Sequence, residues 1–177
     1  MTKPEVPVTD RIEKRVFIKA SPSRVWRAIT DAKEFGAWFG CNLQGPWQLN
    51  VPVIATYDEP ITQAMMDEAA ASVGVTMPPI RDNLVEETFG TAVAIEPETR
   101  FAFRWIPFGV EKDVDVATAE TTLVEFVLEA KDGGTQLTIS ESGFDAVPID
   151  RRRRAFLLND HGWTVQADNV RKHVEQA

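Results

Sequence analysis

Residues 121–144 carry the most regular pattern in the chain, and they predict a long β-hairpin. Apolar residues alternate with more polar ones on both sides of a turn: Val124, Phe126 and Leu128 before it, and Leu137 and Ile139 after it. This period of two is typical of strands that bury one face. Asp132-Gly133-Gly134 supplies the turn, because Gly adopts a positive φ without steric cost. A hairpin of this length should form the middle of a sheet.

The sequence before the hairpin predicts one strand and two short helices. The strand begins at Arg11 and places Ile12, Val16 and Ile18 on one face. A helix over 22–30 follows, because Ser21 is a good N-cap and Pro suits the first helical position. A second helix, from Asp31 to Phe39, should end at Gly40.

Further strands are expected over 43–55, 88–95 and 100–105, with a loop over 106–119. In the last of these strands Phe101, Phe103 and Trp105 share one face, so Arg104 should point to the surface. The region 57–85 is the least regular, although Ile61, Met65 and Ala69 are spaced as in a helix. We interpret it as an insertion that lies over the mouth of a cavity and moves. Residues 1–10 lack an apolar pattern and are expected to form a flexible arm, which leaves one domain over 11–177.

The final helix, over about 149–174, has an amphipathic pattern with polar exceptions. At about 100° per residue, its apolar arc holds Phe156, Ala155, Leu158, Gly162, Trp163, Val165 and Val170. The polar residues Asn159, Gln166 and His173 fall inside the same arc. A buried polar side chain costs free energy unless it is paired. Asn159 therefore either bonds a loop backbone or lines a cavity together with Gln166, and Gly162 favours the cavity because its missing side chain leaves space.

Composition excludes several classes of function. The net charge of −8 argues against a nucleic-acid partner. One cysteine, Cys41, and two histidines, His161 and His173, have no metal-ligand spacing, so we expect neither metal nor cofactor. No apolar run is long enough to cross a bilayer and no signal-peptide core is present, so a cytoplasmic protein without membrane contact is expected. The run 151–154 is basic, and its arginines should bond the preceding loop in a solvated first turn; an acidic partner is the alternative.

Catalytic groups have little support in the sequence. Two histidines on one helix cannot both reach one site, and His161 falls at the flank of the apolar arc, where a surface position is expected. Glu125 and Glu141 could act as a general acid and base if both were buried with shifted pKa values. Strand glutamates more often pair with Lys or Arg. We therefore leave the question of an enzyme open, with a binding protein as the favoured interpretation.

The order of these elements resembles the START-like, polyketide-cyclase-like superfamily, and in particular its branch named after the activator of the heat-shock protein 90 ATPase. The resemblance covers nearly the whole chain. The residues that carry it are Ala20-Ser21-Pro22 with Val25-Trp26, Trp38-Phe39-Gly40, the run 101–105, the run 121–126, Glu141-Ser142-Gly143-Phe144, and Asn159 with Gly162-Trp163. The region 57–85 departs from the shortest family members, which leaves the shape of the entrance open.

The resemblance implies an α+β helix-grip fold, in which a curved antiparallel sheet wraps around the C-terminal helix with an apolar cavity between them. Large rings and a few polar groups are the candidate lining: Trp38, Phe39, Trp47, Phe103, Trp105, Phe126, Phe144, Asn159, Gly162 and Gln166. For each ring, a place in the packed core is the alternative. Arg104, Glu125, Glu141 and Ser142 are further polar candidates.

Three classes of function follow from this interpretation. The first is a protein that binds a small hydrophobic or aromatic molecule in the cavity. The second is a cyclase- or hydrolase-like enzyme that uses the same cavity. The third, implied by the family name, is a domain that contacts and regulates a chaperone. A monomer and a homodimer are both compatible with the sequence.

Overall fold

A computed structural model of the chain describes residues 7–176, and it has the helix-grip α+β fold expected from the sequence. Seven antiparallel strands form one curved sheet in the order β1-β7-β6-β5-β4-β3-β2. The strands are β1 (Arg11–Ile18), β2 (Asn42–Gln44), β3 (Pro52–Ile61), β4 (Leu84–Glu96), β5 (Arg100–Trp105), β6 (Thr122–Lys131) and β7 (Gly134–Ser142). The helices are α1 (Pro22–Thr30), α2 (Ala32–Phe39), α3 (Gln63–Ser72) and α4 (Ile149–Glu175), with a 3-10 turn over Phe144–Ala146.

The hairpin of β6 and β7 lies near the middle of the sheet, with β5 on one side and β1 on the other. Its turn consists of Asp132 and Gly133, which both have positive φ, 48° and 76°. Gly134 pairs with Lys131 and belongs to β7, so the turn is one residue shorter than the sequence predicted. The two-residue loop with left-handed backbone matches the twist of the strands that it connects.

One side-chain cap starts each of the helices α1 and α2. The Ser21 hydroxyl accepts a hydrogen bond from the Arg24 amide, and the Asp31 carboxylate accepts one from the Glu34 amide. Gly40 ends α2 in a left-handed conformation with φ of 100°, as the sequence predicted. This sharp path holds the aromatic residues of α2 against the concave face of the sheet.

The core is built around the ring of Phe35 on α2, which is fully buried. Its neighbours come from α2, the loop after β2 and the central strands, and they are Trp38, Phe39, Trp47, Phe89, Phe103 and Phe126. The centroid distances lie between 4.5 and 6.2 Å, with mostly tilted or edge-on rings. Such offset geometry adds about 0.5–1.5 kcal/mol per pair beyond area burial. The half of the sheet beneath α1 and α2 is therefore packed solid.

The insertion is shorter than the sequence suggested. Tyr57 to Ile61 continue β3, and β4 begins at Leu84, so only residues 62–83 leave the sheet. Within them α3 starts at the Thr62 cap and buries only Ala70. A second apolar cluster joins this segment to α4 through Leu158. Two backbone hydrogen bonds, from Arg81 to Val110 and from Lys112 to Pro79, also tie it to the loop after β5.

The long helix α4 buries the face expected from the wheel, with one exception. Ala155, Phe156, Leu158, Trp163 and Val170 are buried. Val165 is 44% exposed, so its place in the apolar arc was wrongly predicted. It lies at the edge of the arc, on the same flank as Leu158. The second apolar cluster, formed by Ala70, Met77, Ile80, Val110 and Leu158, covers that flank at Leu158 but does not include Val165.

The predicted N-terminal arm falls partly outside the described residues, since 1–6 are not among them. Asp10, the last residue of that segment, is bound to the rest of the domain. Its carbonyl oxygen accepts hydrogen bonds from the amides of Gly143 and Phe144, and its carboxylate accepts one from the amide of Asp145. The domain is therefore anchored from Asp10 onward.

Replacing Trp163 tests how α4 is docked. The ring is 2% exposed, and Trp163→Ala should lower the free energy of unfolding by about 3–5 kcal/mol. Denaturant titration measures this loss. Val165→Ala, on the exposed side of the same helix, is the matched control and should change stability by less than about 0.5 kcal/mol. Similar losses in both variants would contradict the docking.

Candidate ligand cavity

A cavity of about 470 Å³ lies between α4 and the open end of the sheet. It is not beneath the aromatic core but beside it, where β4 and β5 run out past α2. Its walls come from α4, α3, the last residue of α2, the end of β3, residues 87–91 of β4, the end of β5 and the loop after β5. The larger apolar side chains in these walls are Phe39, Ile61, Met66, Phe89, Trp105, Ile106, Phe108, Leu158 and Trp163.

Half of the predicted lining lies at the wall of this cavity and half does not. The structure places Phe39, Trp105, Asn159, Gly162 and Gln166 at the wall. It places Trp38, Trp47, Phe103, Phe126 and Phe144 in the packed core instead. The reason is that α1 and α2 cover the rings in the middle of the sheet, so that the open space is displaced toward β4 and α3.

Gly162 faces the open space. A Cβ atom built at this position would meet no atom within 4 Å. Gln166, one turn further along α4, donates a hydrogen bond to the carbonyl oxygen of Phe39 at 2.9 Å and so fixes the end of α2 against the cavity. The missing side chain of a mid-helix glycine therefore corresponds to cavity volume, as its position in the arc indicated.

Behind the cavity wall, the carboxylate of Glu141 is fully buried and is bound by four side chains. Trp105 donates to Oε1 at 2.8 Å and Thr122 to the same oxygen at 2.6 Å. Asn159 donates to both oxygens at 3.0 Å, and Trp163 donates to Oε2 at 2.7 Å. None of these donors carries a charge. Burial raises the pKa of Glu141, and the hydrogen bonds oppose that shift by favouring the carboxylate.

This network corrects two expectations about polar residues. Asn159 does not bond a loop backbone, because its Nδ2 donates to both oxygens of Glu141. Glu125 lies on the opposite face of the sheet, where it accepts a hydrogen bond from Arg100 at 2.8 Å. Successive residues on a strand face opposite sides, and Glu125 is paired with Ser140 while Glu141 is paired with Val124. The two carboxylates therefore cannot act as one acid–base pair.

The remaining polar residues considered from the sequence do not converge on one site. His161 is exposed, as the wheel indicated. His173 contacts Glu34 on α2 at 3.0 Å. Arg104 is exposed at the edge of the cavity. Among the described residues there is no group of three or more His, Cys, Asp or Glu side chains that could hold a metal ion.

The basic run at the start of α4 holds the loop that forms one cavity wall. Arg151 is 7% exposed and donates to the carbonyl oxygen of Pro107 at 2.7 Å. Arg154 donates to Glu111 at 2.8 and 2.9 Å, and Arg152 donates to backbone oxygens that precede the helix. The expected bonds to a preceding loop are present, but the turn is not fully solvated because Arg151 is buried.

The far end of the cavity contains a polar group that the sequence analysis missed. The Tyr57 hydroxyl donates to Oε1 of Glu87 at 2.5 Å. An Nη2 atom of Arg81 lies 3.9 Å from Oε2 of Glu87. Burial raises the pKa of Glu87, and it also raises the pKa of Tyr57, with the neighbouring Glu87 charge adding to the shift. We name Tyr57, Glu87 and Arg81 the polar end of the cavity.

A pattern in the sequence could have revealed this polar end. Val53, Ala55 and Tyr57 alternate with period two, and so do Glu87 and Phe89. Extending the two flanking strands into the irregular region would have placed Tyr57 and Glu87 on the concave face, close to each other. Arg81 belongs to the insertion, and nothing in its sequence neighbourhood indicates the contact.

The curved sheet around α4 is the helix-grip fold of the START-like, polyketide-cyclase-like class. Residues 19–175 match the family described as activator of Hsp90 ATPase homolog 1-like protein, and the chain belongs to that family. A search of the curated proteins found no match. None of the helices over residues 7–176 is both long and apolar enough to cross a membrane.

Solved structures with this fold include proteins of distant sequence. MLL2253 from Mesorhizobium loti superposes with a TM-score of 0.65 at 17% identity, over 94% of this chain and 98% of that one. Aha1 from Colwellia psychrerythraea, solved as a dimer, has a TM-score of 0.57 at 14% identity, over 94% and 97%. DynU16, a protein in the dynemicin biosynthetic locus, has a TM-score of 0.63 at 19% identity over 94% of this chain. The chain covers 48% of DynU16, about half its length. At these identities the likeness shows the fold.

The buried carboxyls predict a pH dependence of stability. Because the folded state holds the pKa of Glu141 above the ordinary value of 4.5, it binds more protons than the unfolded state as pH rises above that value. The free energy of unfolding contributed by this group therefore falls with rising pH. Glu141→Gln removes this contribution, but its amide hydrogens meet other donors, at a cost of about 1–3 kcal/mol.

We expect Glu141→Gln to be less stable than the wild type at low pH and the difference to shrink as pH increases. Urea titrations from pH 4.5 upward, the ordinary value for the group, measure it. Glu129→Gln, at an exposed position on β6, controls for the loss of one carboxyl. A stability difference that stays constant with pH would contradict the argument.

The segment 61–79 is expected to be a mobile cover at the cavity mouth. Ile61 and Met66 lie in the cavity wall, while α3 buries a single residue. A helix with so few buried contacts should open more readily than central strands. Hydrogen exchange followed by mass spectrometry should be faster over 61–79 than over 121–140. Equally slow exchange in both segments would exclude a cover that moves.

Proposed function

We propose that this protein binds a small hydrophobic or aromatic molecule in the cavity between α4 and the sheet. The observation that carries the proposal is the open space over Gly162, since a Cβ there would meet nothing within 4 Å. A glycine inside a helix costs about 1 kcal/mol relative to alanine. A glycine at a position where a side chain would fit therefore supports a cavity that a ligand can occupy.

The chemistry of the wall supports an apolar body with few polar contacts. Phe39 and Trp105 present part of their surface to the cavity, and Trp163, which is 2% exposed, contributes little. The Nδ2 atom of Asn159 is bound to Glu141, and its carbonyl oxygen can accept a hydrogen bond from a ligand. A volume of about 470 Å³ is within the usual range of about 300–1,000 Å³ for small-molecule sites. The ligand would lie along α4 with its body against the indole rings.

Filling the space over Gly162 tests the proposal. The neutral fluorescent probe N-phenyl-1-naphthylamine should bind the wild type, and Gly162→Leu should abolish binding while the protein stays folded. Overpacking costs about 1–3 kcal/mol where neighbours must move. Gly162→Ala is the matched control: it should keep most of the binding and gain up to about 1 kcal/mol of stability.

Two results would contradict the proposal. One is a wild-type protein that takes up no probe and retains no small molecule in native mass spectrometry after purification from its own host. The other is unchanged uptake in Gly162→Leu, which would place the probe elsewhere.

An enzyme that uses the same cavity is a second candidate. The observation that favours it is the Glu87 carboxyl at the cavity wall, because burial raises its pKa and a carboxyl placed beside a ligand can act as a general acid or base. Comparing the small molecules retained by the wild type and by Glu87→Gln tests it. A different mass in the variant would support turnover, and the same compound in both would favour binding alone.

The chaperone-regulating alternative rests on the description of the family. The residues that the structure describes contain no surface feature that favours a chaperone over other partners. Light scattering of the purified chain would decide between monomer and homodimer.

A further inference from the structure

We propose that the polar end of the cavity, formed by Tyr57, Glu87 and Arg81, binds an acidic hydroxyl of an apolar ligand, a phenol or an enol, and accepts its proton. This inference rests on the proposed binding function, because the ligand must first occupy the cavity. It adds the class of ligand and the place where its polar group lies.

The hydrogen bonds of the polar end leave one acceptor and one cationic donor unused. Oε1 of Glu87 is occupied by the Tyr57 hydroxyl at 2.5 Å, while Oε2 accepts no hydrogen bond from the described residues. Arg81 donates from Nη2 to the carbonyl oxygen of Gly109 at 2.6 Å. Its Nε is buried and has no partner among the described residues. This nitrogen has almost no accessible surface, so a ligand in the cavity would reach Arg81 at Nη2, which faces Glu87.

The distance between the two groups selects the ligand chemistry. Arg81 Nη2 and Glu87 Oε2 are 3.9 Å apart, too far for a hydrogen bond and close enough for one oxygen atom to contact both side chains. That oxygen must donate to a carboxylate and tolerate negative charge beside a guanidinium. A ligand carboxylate would repel Glu87, and a ligand amine would repel Arg81. An aliphatic alcohol is too weak an acid to ionise, which leaves a hydroxyl on an sp² carbon.

The proton transfer balances within the site. The O–H bond of the ligand breaks, its electron pair stays on the ligand oxygen, and the proton forms a new O–H bond at Oε2 of Glu87. The resulting oxyanion faces the Arg81 guanidinium, which remains charged. The raised pKa of Glu87 makes its carboxylate a better acceptor for such a proton.

The other titratable groups that face Glu87 are compatible with this transfer. Cys41 interacts electrostatically with both Glu87 and Tyr57, and burial raises its pKa to about 12, so its thiol stays neutral. The raised pKa of Tyr57 keeps its phenol protonated as a donor to Glu87. Glu141 is sealed behind the wall by its own donors. The ligand oxyanion would therefore meet one cation and no second anion in the polar end.

A pair of nitroaromatic probes tests the inference. 4-Nitrophenol carries an acidic hydroxyl and changes its visible absorbance on ionisation, whereas 4-nitroanisole has the same body with a methyl ether. Quenching of tryptophan fluorescence gives both affinities, because Trp105 and Trp163 line the cavity. At a pH where free 4-nitrophenol is mostly protonated, the bound probe should show the absorbance of the phenolate.

Variants of the polar end should separate the two probes. Arg81→Met should weaken 4-nitrophenol by about tenfold or more, the size expected for losing a charged hydrogen bond, and remove the phenolate band. Glu87→Gln removes the proton acceptor, so a phenolate bound beside Arg81 must release its proton to solvent, and its band should fade as pH falls while the wild-type band persists. The affinity of both variants for 4-nitroanisole should change by less than about twofold, because the wall is intact. Arg15→Met, whose side chain on β1 is 69% exposed, is the matched control for losing one arginine. Circular dichroism checks that each variant folds. If one variant does not fold, the absorbance of 4-nitrophenol bound to the wild type still tests whether the ligand ionises.

The outcomes distinguish this inference from the proposed function. Binding of both probes, with a phenolate band that is lost in Arg81→Met and becomes dependent on pH in Glu87→Gln, supports the inference. If 4-nitroanisole binds but 4-nitrophenol binds as the neutral phenol and the variants change nothing, the inference is overturned and the binding function stands. If neither probe binds, the proposed function fails and the inference fails with it.

Discussion

The buried carboxylate of Glu141 is the contact on which the arrangement of sheet and helix depends. Its donors come from β5, β6 and α4, so one side chain on β7 fixes three other elements at hydrogen-bond distance. A buried carboxylate without hydrogen bonds costs much free energy, so the folded state would lose stability if any of these donors moved away. A purely apolar contact between helix and sheet could slide. The carboxylate allows one register of α4, and so it sets the position of Gly162 over the cavity.

The same network divides the interior into a solid half and an open half. Trp105 and Trp163 reach inward to Glu141 with their indole nitrogens while their rings face the cavity. On one side of them, the rings around Phe35 pack without space for a ligand. On the other side, the sheet runs past α2 and is covered only by α3 and the loop after β5. The wall nearest the core is packed against other rings, whereas α3 in the opposite wall buries only Ala70.

The fold could be predicted from the sequence because strands and helices have periodic patterns that are visible within each element. The hairpin, the caps at Ser21 and Asp31 and the arc around Trp163 are local signals, and the structure contains each of them. The cavity lining was harder because it depends on where α1 and α2 lie over the sheet. Phe103 and Phe126 have the same strand pattern as Trp105, yet only Trp105 reaches open space. Glu141 was suggested as a catalytic acid, because the sequence does not show that neutral donors surround it.

The two buried carboxyls, Glu87 and Glu141, differ in how many hydrogen bonds hold them. Both have raised pKa values because burial disfavours the charged form. Glu141 has donors on both oxygens and no contact with the cavity, so a proton exchanged there would break hydrogen bonds that hold α4. Glu87 has a single donor on one oxygen, and its other oxygen faces Arg81 across a gap. In the proposed site, a ligand would therefore exchange a proton with Glu87 without breaking the hydrogen bonds that hold α4 on the sheet.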